Sequence, residues 1–489
     1  MTLSTRRSQL IEYGLLTLIV ILYLALAYGY ATRTPDWQVP DEPAHYNYIR
    51  QIVETGDLPV IEMGDWDSAY LDQLKGSGFD PAVTQNIGRV QYEDHQPPLY
   101  YLAQSVIYRL SNGDLKTMRV FSAIMGAGVI VCVWAILRRL FPHHEWIGLS
   151  AAAFIAFIPQ RLAIMGGISN DSLAETIAAL VLLVITMYLI PRQPDAKPAA
   201  QNWAGLSPAP THEQALRRGQ AQTDPADRYD LATKHIKLAF GLGLLVGLAF
   251  LTKTTVYYVA AVAGLAVLWR CWHEKWPLKK SLSQIFAFGV PALILGGIWW
   301  VHGIQTYGGT DILGLQRHDK VVVGQLRTED YVEKELGGSQ QEYWENLVET
   351  TYHSFWGQLG WMALPMPNWI YQVIGFMLLI VSLGICLYMW QSAGFKNRRF
   401  ILGLFALGTT LVFAQFLIYN RTFVQFQGRY LYPALIPMAI GTAVAFYGWA
   451  ALAARYTKWS WLPRLAFLIP LSQLGLAWYV LKQIVPLIP

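Results

Sequence analysis

Charge is what this sequence has little of. Asp, Glu, Lys and Arg supply 14% of its 489 residues, against about 25% in an ordinary soluble domain. That excludes a soluble globular fold and leaves an integral membrane protein. Cysteine is scarcer still. Cys132, Cys271 and Cys386 sit in or at the ends of apolar segments without CxxC spacing, which excludes a disulfide framework and a zinc knuckle. The motifs of soluble enzymes are missing as well: no P-loop, no GxGxxG after a strand, no GxSxG, no HExxH. Their absence argues against an ATP or nucleotide-sugar site. Nothing in the chain points to nucleic acid.

What is present is apolar and aromatic. Hydrophobic residues make up 54% of the chain, with 19 Trp and 27 Tyr, which suits interfacial belts and aromatic-lined cavities. Segments of membrane-spanning length, about 17–25 residues, are Leu10–Ala31, Thr117–Leu137, Trp146–Met165, Ser172–Ile190, Ile236–Leu251, Thr255–Arg270, Leu282–His302, Trp369–Trp390, Phe400–Tyr419, Tyr430–Ala451 and Leu462–Leu481. The fold expected is therefore an all-α polytopic membrane protein of about eleven transmembrane helices with amphipathic helices on its outer face. The first segment is too long for a signal peptide and lacks an A-x-A cleavage site, so it reads as a transmembrane helix with a cytoplasmic N-terminus. Pro191–Thr233, rich in Pro, Ala, Gln and Arg, has no periodicity and reads as a flexible cytoplasmic loop, bounded at 191–235.

Pro97–Leu110 decides the topology. At about 14 residues it spans roughly 21 Å, short of the ~30 Å hydrocarbon core. If it lies on the surface, Arg138-Arg139, the loop after Arg192, the Arg270–Lys280 cluster, Lys396–Arg399 and Arg455–Lys458 all fall inside, as the positive-inside rule asks. Thr32–Thr117, Gly166–Asp171, Thr252–Thr255, Gly303–Asn368 and Asn420–Arg429 then share the outer side.

Those outer segments hold the residues that carry chemistry. Asp41 and Glu42 lie between Pro40 and Pro43, in a stiff turn just past the first span. An amphipathic helix Ala44–Thr55 follows, with Tyr48, Ile52, Tyr46 and Ile49 toward its buried side. Acids are favoured at helix starts in any case, yet a carboxylate pair at the bilayer surface is placed to take a proton or hold a cation. His95, in Glu93-Asp94-His95-Gln96-Pro97-Pro98, opens a short helix where it could ligate a cation, hold phosphate or relay a proton, or serve only as a polar entry residue. Asp171 opens another helix, a capping position but a costly one at the hydrocarbon edge. Lys253 lies between two apolar runs, placed to snorkel or to meet an anionic headgroup. Arg429 begins a span on the outer side against the charge bias, and its guanidinium suits phosphate.

Asp41-Glu42 after the first span, His95-x-Pro97-Pro98-Leu99-Tyr100-Tyr101, Asp171, Leu251-Thr252-Lys253 and Gln427-Gly428-Arg429-Tyr430 come in the order seen in GT-C glycosyltransferases. Over Leu10 to about Ala451 the chain resembles the branch containing protein O-mannosyltransferases and the lipid A aminoarabinose transferase. The resemblance implies a polyprenyl-phosphate sugar donor, an extracytoplasmic site in a plasma-membrane protein, Asp41 as the catalytic acid residue and Asp171 lining the same cavity. It also implies a catalytic module over 1–451, with outer loops 32–116 and 303–368, followed by a C-terminal transmembrane helix in 452–489. Relatives of the aminoarabinose type carry Glu-Lys where this chain has His95-Gln96, so Lys253 or Arg429 takes the phosphate-binding role.

The reaction expected is inverting transfer of a sugar from a polyprenyl monophosphate to a hydroxyl on a lipid, glycan or protein. Asp41, with Glu42 beside it, accepts the acceptor's proton. Arg429, Lys253 or a divalent cation held at Asp41 and His95 compensates the leaving phosphate. Tyr100 and Trp356 are the aromatic candidates for substrate contact. A lipid-linked sugar transporter would want inverted repeats, and none is found. A polysaccharide polymerase or ligase would carry its main acid or arginine loop late in the chain.

Overall fold

The computed structural model describes residues 3–142, 144–190, 225–391, 398–459 and 461–489. Among these, nine helices are long and apolar enough to cross a membrane: Gln9–Arg33, Leu115–Leu140, Asp171–Leu189, Thr254–His273, Leu278–Tyr307, Asn368–Met389, Arg399–Tyr419, Gly428–Thr457 and Leu462–Leu487. A helix satisfies its own backbone donors and acceptors, as hydrocarbon requires. Each of the nine matches an expected segment to within a few residues. Among the described residues the expected count of eleven is not reached. Trp146–Met165 is broken, because Pro159 starts a new helix and the pieces Glu145–Ala156 and Pro159–Met165 are bent by 64°. Counting that pair as one span gives ten. Ile236–Leu251 forms the end of the helix Pro225–Phe250, which is not among the nine. Residues 191–224 of the expected loop lie outside the described residues; 225–233 are helical.

Small residues draw the helices together. Gly243 and Gly247 face the helix Leu278–Tyr307, and a Cβ added at Gly243 would lie 2.1 Å from the Phe288 carbonyl oxygen. Only glycine permits that approach, as in GxxxG pairs of membrane helices.

The segments between spans fold onto one another. Residues 32–114 carry helices Glu42–Thr55, Ser68–Gly76 and Leu99–Ser111. Glu42–Thr55 buries Tyr48, Ile49 and Ile52 against Tyr100 and Tyr101 of Leu99–Ser111, with Tyr48 and Tyr101 stacked at 3.7 Å. Leu71, Leu74, Phe79 and Tyr92 form a second cluster with Val322 and Phe423, which locks the first long loop onto the segment before the span Asn368–Met389 and the segment after the span Arg399–Tyr419. The Leu99 amide donates to the Leu251 carbonyl (2.9 Å), pinning the turn that carries Lys253.

Candidate functional site

Asp41 sits at the N-cap of Glu42–Thr55 with φ +65°, a left-handed backbone that non-glycine residues adopt at some cost and that Asp and Asn tolerate best. The carboxylate is thereby turned out of the helix. Its Oδ1 accepts from the Tyr92 hydroxyl (2.8 Å), and its Oδ2 is ion-paired with the Arg429 guanidinium. Arg429 is placed by Gly428. A Cβ there would lie 2.4 Å from the Thr351 carbonyl oxygen, and the Gly428 amide donates to Ser354 Oγ (2.7 Å). Arg429 also lies 4.0 Å from Asp171, and Asp171 accepts from Lys253 Nζ at 2.5 Å. Four charges from four distant parts of the chain thus form one alternating row: Asp41, Arg429, Asp171, Lys253.

Three members of the row, Asp41, Lys253 and Arg429, line a cavity of about 560 Å³ together with His45, Glu93 and His95. The span Arg399–Tyr419 contributes Val412, Phe416 and Ile418, with Gln415 among them, to the same wall. Burial raises the Asp41 carboxyl, but Arg429, followed by His45 and the Tyr92 hydrogen bond, outweighs it and holds Asp41 ionised. Burial pushes the His45 imidazole down to about 3, against the attraction of Asp41, so His45 is neutral. Its Nδ1 meets the Tyr101 hydroxyl at 2.9 Å. Glu93 moves the other way: burial, and then the Asp41 charge, push it up to about 7 despite Lys253 and Arg429.

The remaining expected residues fall elsewhere. Glu42 is not in the cavity. It is fully buried against Arg119, with Nε to Oε1 at 2.7 Å and Nη2 to Oε2 at 2.6 Å, because the helix beginning at Glu42 turns it inward while Asp41 faces out. Its placement corrects the expectation of a second proton acceptor. Tyr100 is buried, hydrogen-bonded to Ser122 (2.8 Å) and Gln104 (3.1 Å), and is not in the wall of that cavity. Trp356 borders a separate apolar cavity of about 650 Å³ with Phe154 and Trp369. His95 does line the main cavity, but it is packed 4.5 Å from the His318 ring, and its Nδ1 meets the Tyr92 carbonyl (3.2 Å). The oxygens of Asp41 are taken by Arg429 and Tyr92, so this pair does not fit a divalent cation. Among the described residues no group of three His, Cys, Asp or Glu is arranged to hold one.

His45 and Glu93 are the residues that reading the sequence passed over. His45 stands four positions after Asp41, and Glu93 two before His95. Helical spacing was the available signal for the first; only burial reveals the second.

Residues 95–207 match the family model described as dolichyl-phosphate-mannose-protein mannosyltransferase. The chain is similar to the GT-C glycosyltransferases. The mannosyltransferase match includes His95 and Asp171, while Asp41, Lys253 and Arg429 lie outside it. Two structures of ArnT from Cupriavidus metallidurans, bound to undecaprenyl phosphate and apo, align at 14% and 15% identity. They cover 97% of this chain and 74% and 73% of theirs, with TM-scores of 0.47 and 0.48. The Archaeoglobus fulgidus oligosaccharyltransferase, in complex with Zn and sulfate, aligns at 13% identity over 96% of this chain and 53% of its own, with a TM-score of 0.43. No curated protein matches the sequence.

Proposed function

We propose that this chain is an integral membrane glycosyltransferase that moves a sugar, with inversion, from a polyprenyl-phosphate carrier to a hydroxyl outside the cytoplasm. The observation that carries the reading is one cavity lined by Asp41, Arg429 and Lys253, with Asp171 pairing the two cations, and by Val412 and Phe416 of a spanning helix. A polyprenyl chain lies along Val412 and Phe416 while its phosphate meets the cations. The acceptor oxygen attacks the anomeric carbon and gives its proton to the Asp41 carboxylate. The bond from that carbon to the phosphate oxygen breaks, and its electron pair leaves on the phosphate. Arg429, whose Nε has no partner among the described residues, and Lys253 stabilise that charge.

The test is Arg429→Lys. Lysine keeps the charge but loses the planar fork that grips phosphate through two bonds. Affinity of the purified protein for undecaprenyl phosphate is expected to fall tenfold or more, a loss of about 1.4 kcal/mol, with an unchanged melting curve. If Arg429 serves only as the ion-pair partner of Asp41, affinity stays and the melting temperature drops; that outcome ends the phosphate assignment.

Glu93 gives a pH dependence to the same binding. Its carboxyl is neutral below about pH 7 and charged above, so donor affinity is expected to weaken as pH rises through 7, by an order of magnitude for one like charge at short range. Glu93→Gln removes that change. The phosphate's own second ionisation, at about pH 6, moves both proteins alike. Undecaprenyl phosphate titrated onto each from pH 5.5 to 8.5 reads the difference; parallel curves would detach Glu93 from the donor.

The orientation has its own test. The helix Leu99–Ser111 exposes Leu102, Val106 and Leu110 four residues apart, a stripe suited to lying on lipid. A reporter at Gly338 is expected outside the cytoplasm and one at Gly219, beyond the described residues, inside. Reversed signals would mean that this helix crosses the membrane.

A further inference from the structure

A second cavity, about 180 Å³, lies beside the first and shares Asp41, Glu93, His318, Tyr419 and Tyr430 with it. Its own wall includes Trp66, Gln325, Trp361 and Gln427. None of these belongs to the charged row, and the phosphate chemistry uses none of them. Sites for drug-sized ligands run to about 300–1,000 Å³, so this space holds little more than a single ring.

Its chemistry is specific. Trp66 Nε1, Gln325 Oε1 and Gln427 Oε1 are buried without a hydrogen-bond partner among the described residues, one donor and two acceptors. Leaving each unpaired costs about 1–3 kcal/mol, so a fitting ligand must both accept and donate. Hydroxyl groups do both. Trp361 is held rigidly: its Nε1 donates to the Trp37 carbonyl (2.9 Å), and its ring stacks on Phe79 at 5.8 Å. Trp361 and Met362 both have left-handed backbones, φ +52° and +73°. Consecutive non-glycine residues held this way mark a surface whose shape is maintained against strain. The negative face of an indole suits the weakly positive C–H edge of a pyranose. Asp41 and Glu93 at the shared wall disfavour an anion, and Lys75, the cation in this lining, lies over the Trp361 ring at 5.0 Å.

We propose that this second cavity is the acceptor subsite and that it takes a neutral sugar ring, placing one hydroxyl of that ring against Asp41. The assignment rests on the transferase reading above and narrows its acceptor to a saccharide. Donor and acceptor then meet at the Asp41 carboxylate, which lines both cavities.

Saturation-transfer NMR on the full-length protein in nanodiscs tests this with the methyl pyranosides of glucose, galactose and mannose as probes. Transfer to the ring protons of at least one is expected, and it should fall about fivefold to tenfold in Trp66→Phe, which deletes one N–H, and in Gln325→Leu, which deletes one acceptor. Undecaprenyl phosphate affinity and the melting curves of both variants should match the unmodified protein, showing that the fold and the donor cavity are intact. Absence of transfer with all three sugars overturns the proposal, as does transfer that both variants leave unchanged. So does displacement of the sugar by a serine- and threonine-containing peptide whose own signal depends on Trp66. Failure of the unmodified protein to bind undecaprenyl phosphate strikes the donor reading instead, and the sugar signal is judged separately from it.

Discussion

Asp41→Asn is expected to lower sugar transfer by about 10²–10⁴-fold, the range for losing a general base, and to leave the protein folded. Asparagine is, with aspartate, the side chain best tolerated at the left-handed φ of +65° that this position requires. The turn therefore survives, and the Tyr92 hydroxyl keeps an oxygen to donate to. What changes is the charge. Arg429 loses the partner that neutralises it and is left 4.0 Å from Asp171, so its field falls more fully on the donor. Affinity for undecaprenyl phosphate should consequently rise as turnover collapses. Transfer and binding measured on the same preparation give opposite signs, a signature that misfolding cannot produce. Near-normal turnover would remove Asp41 from the chemistry. Glu42 could not replace it, being committed to Arg119; Glu93, on the same cavity wall, would become the proton acceptor.

The spans were legible because hydrophobic length is dictated by the bilayer, and nine expected segments are helices of that kind among the described residues. Pro159 was the visible sign that one segment breaks, and hydropathy averaged across it hid the bend. The convergence of Asp41, Asp171, Lys253 and Arg429 could also be read, since each stands near the end of a span, on the side that the charge distribution predicts to be outer. Their pairing could not, because which cation faces which acid depends on how the spans pack. The same holds for Glu42. Its partner Arg119 stands two residues inside the segment Thr117–Leu137, where a charge is costly and needs an ion-pair partner. Tyr100 and Trp356 share a different reason: an aromatic in a motif and an aromatic in a core look alike until burial separates them. Trp361, five residues beyond Trp356, lines a cavity with Asp41 where Trp356 does not.

Glu42→Gln is expected to act on stability, at a cost of about 3–5 kcal/mol, the range for breaking a buried ion pair. Both side chains are wholly inaccessible, and the node they form is fully satisfied. Arg119 donates to the carbonyls of Ala31 (3.2 Å), Thr34 (2.7 Å) and Pro35 (2.9 Å) as well as to Glu42. Glu42 in turn accepts from the amides of Trp37 and Ile168, both at 3.1 Å. One ion pair therefore ties the end of the first span, the acidic turn, the Leu115–Leu140 span and the backbone leading to Asp171. Glutamine keeps one acceptor but leaves a guanidinium without its counter-charge at a site closed to solvent. The thermal midpoint of the purified variant should fall well below that of Asp41→Asn, in which Arg429 borders a cavity and keeps Asp171 within 4.0 Å. At temperatures where the variant remains folded, transfer should persist, because Asp41 still faces the cavity. A Glu42→Gln protein that melts normally yet transfers no sugar would place Glu42 in contact with the reacting groups and set aside the structural role assigned to it here.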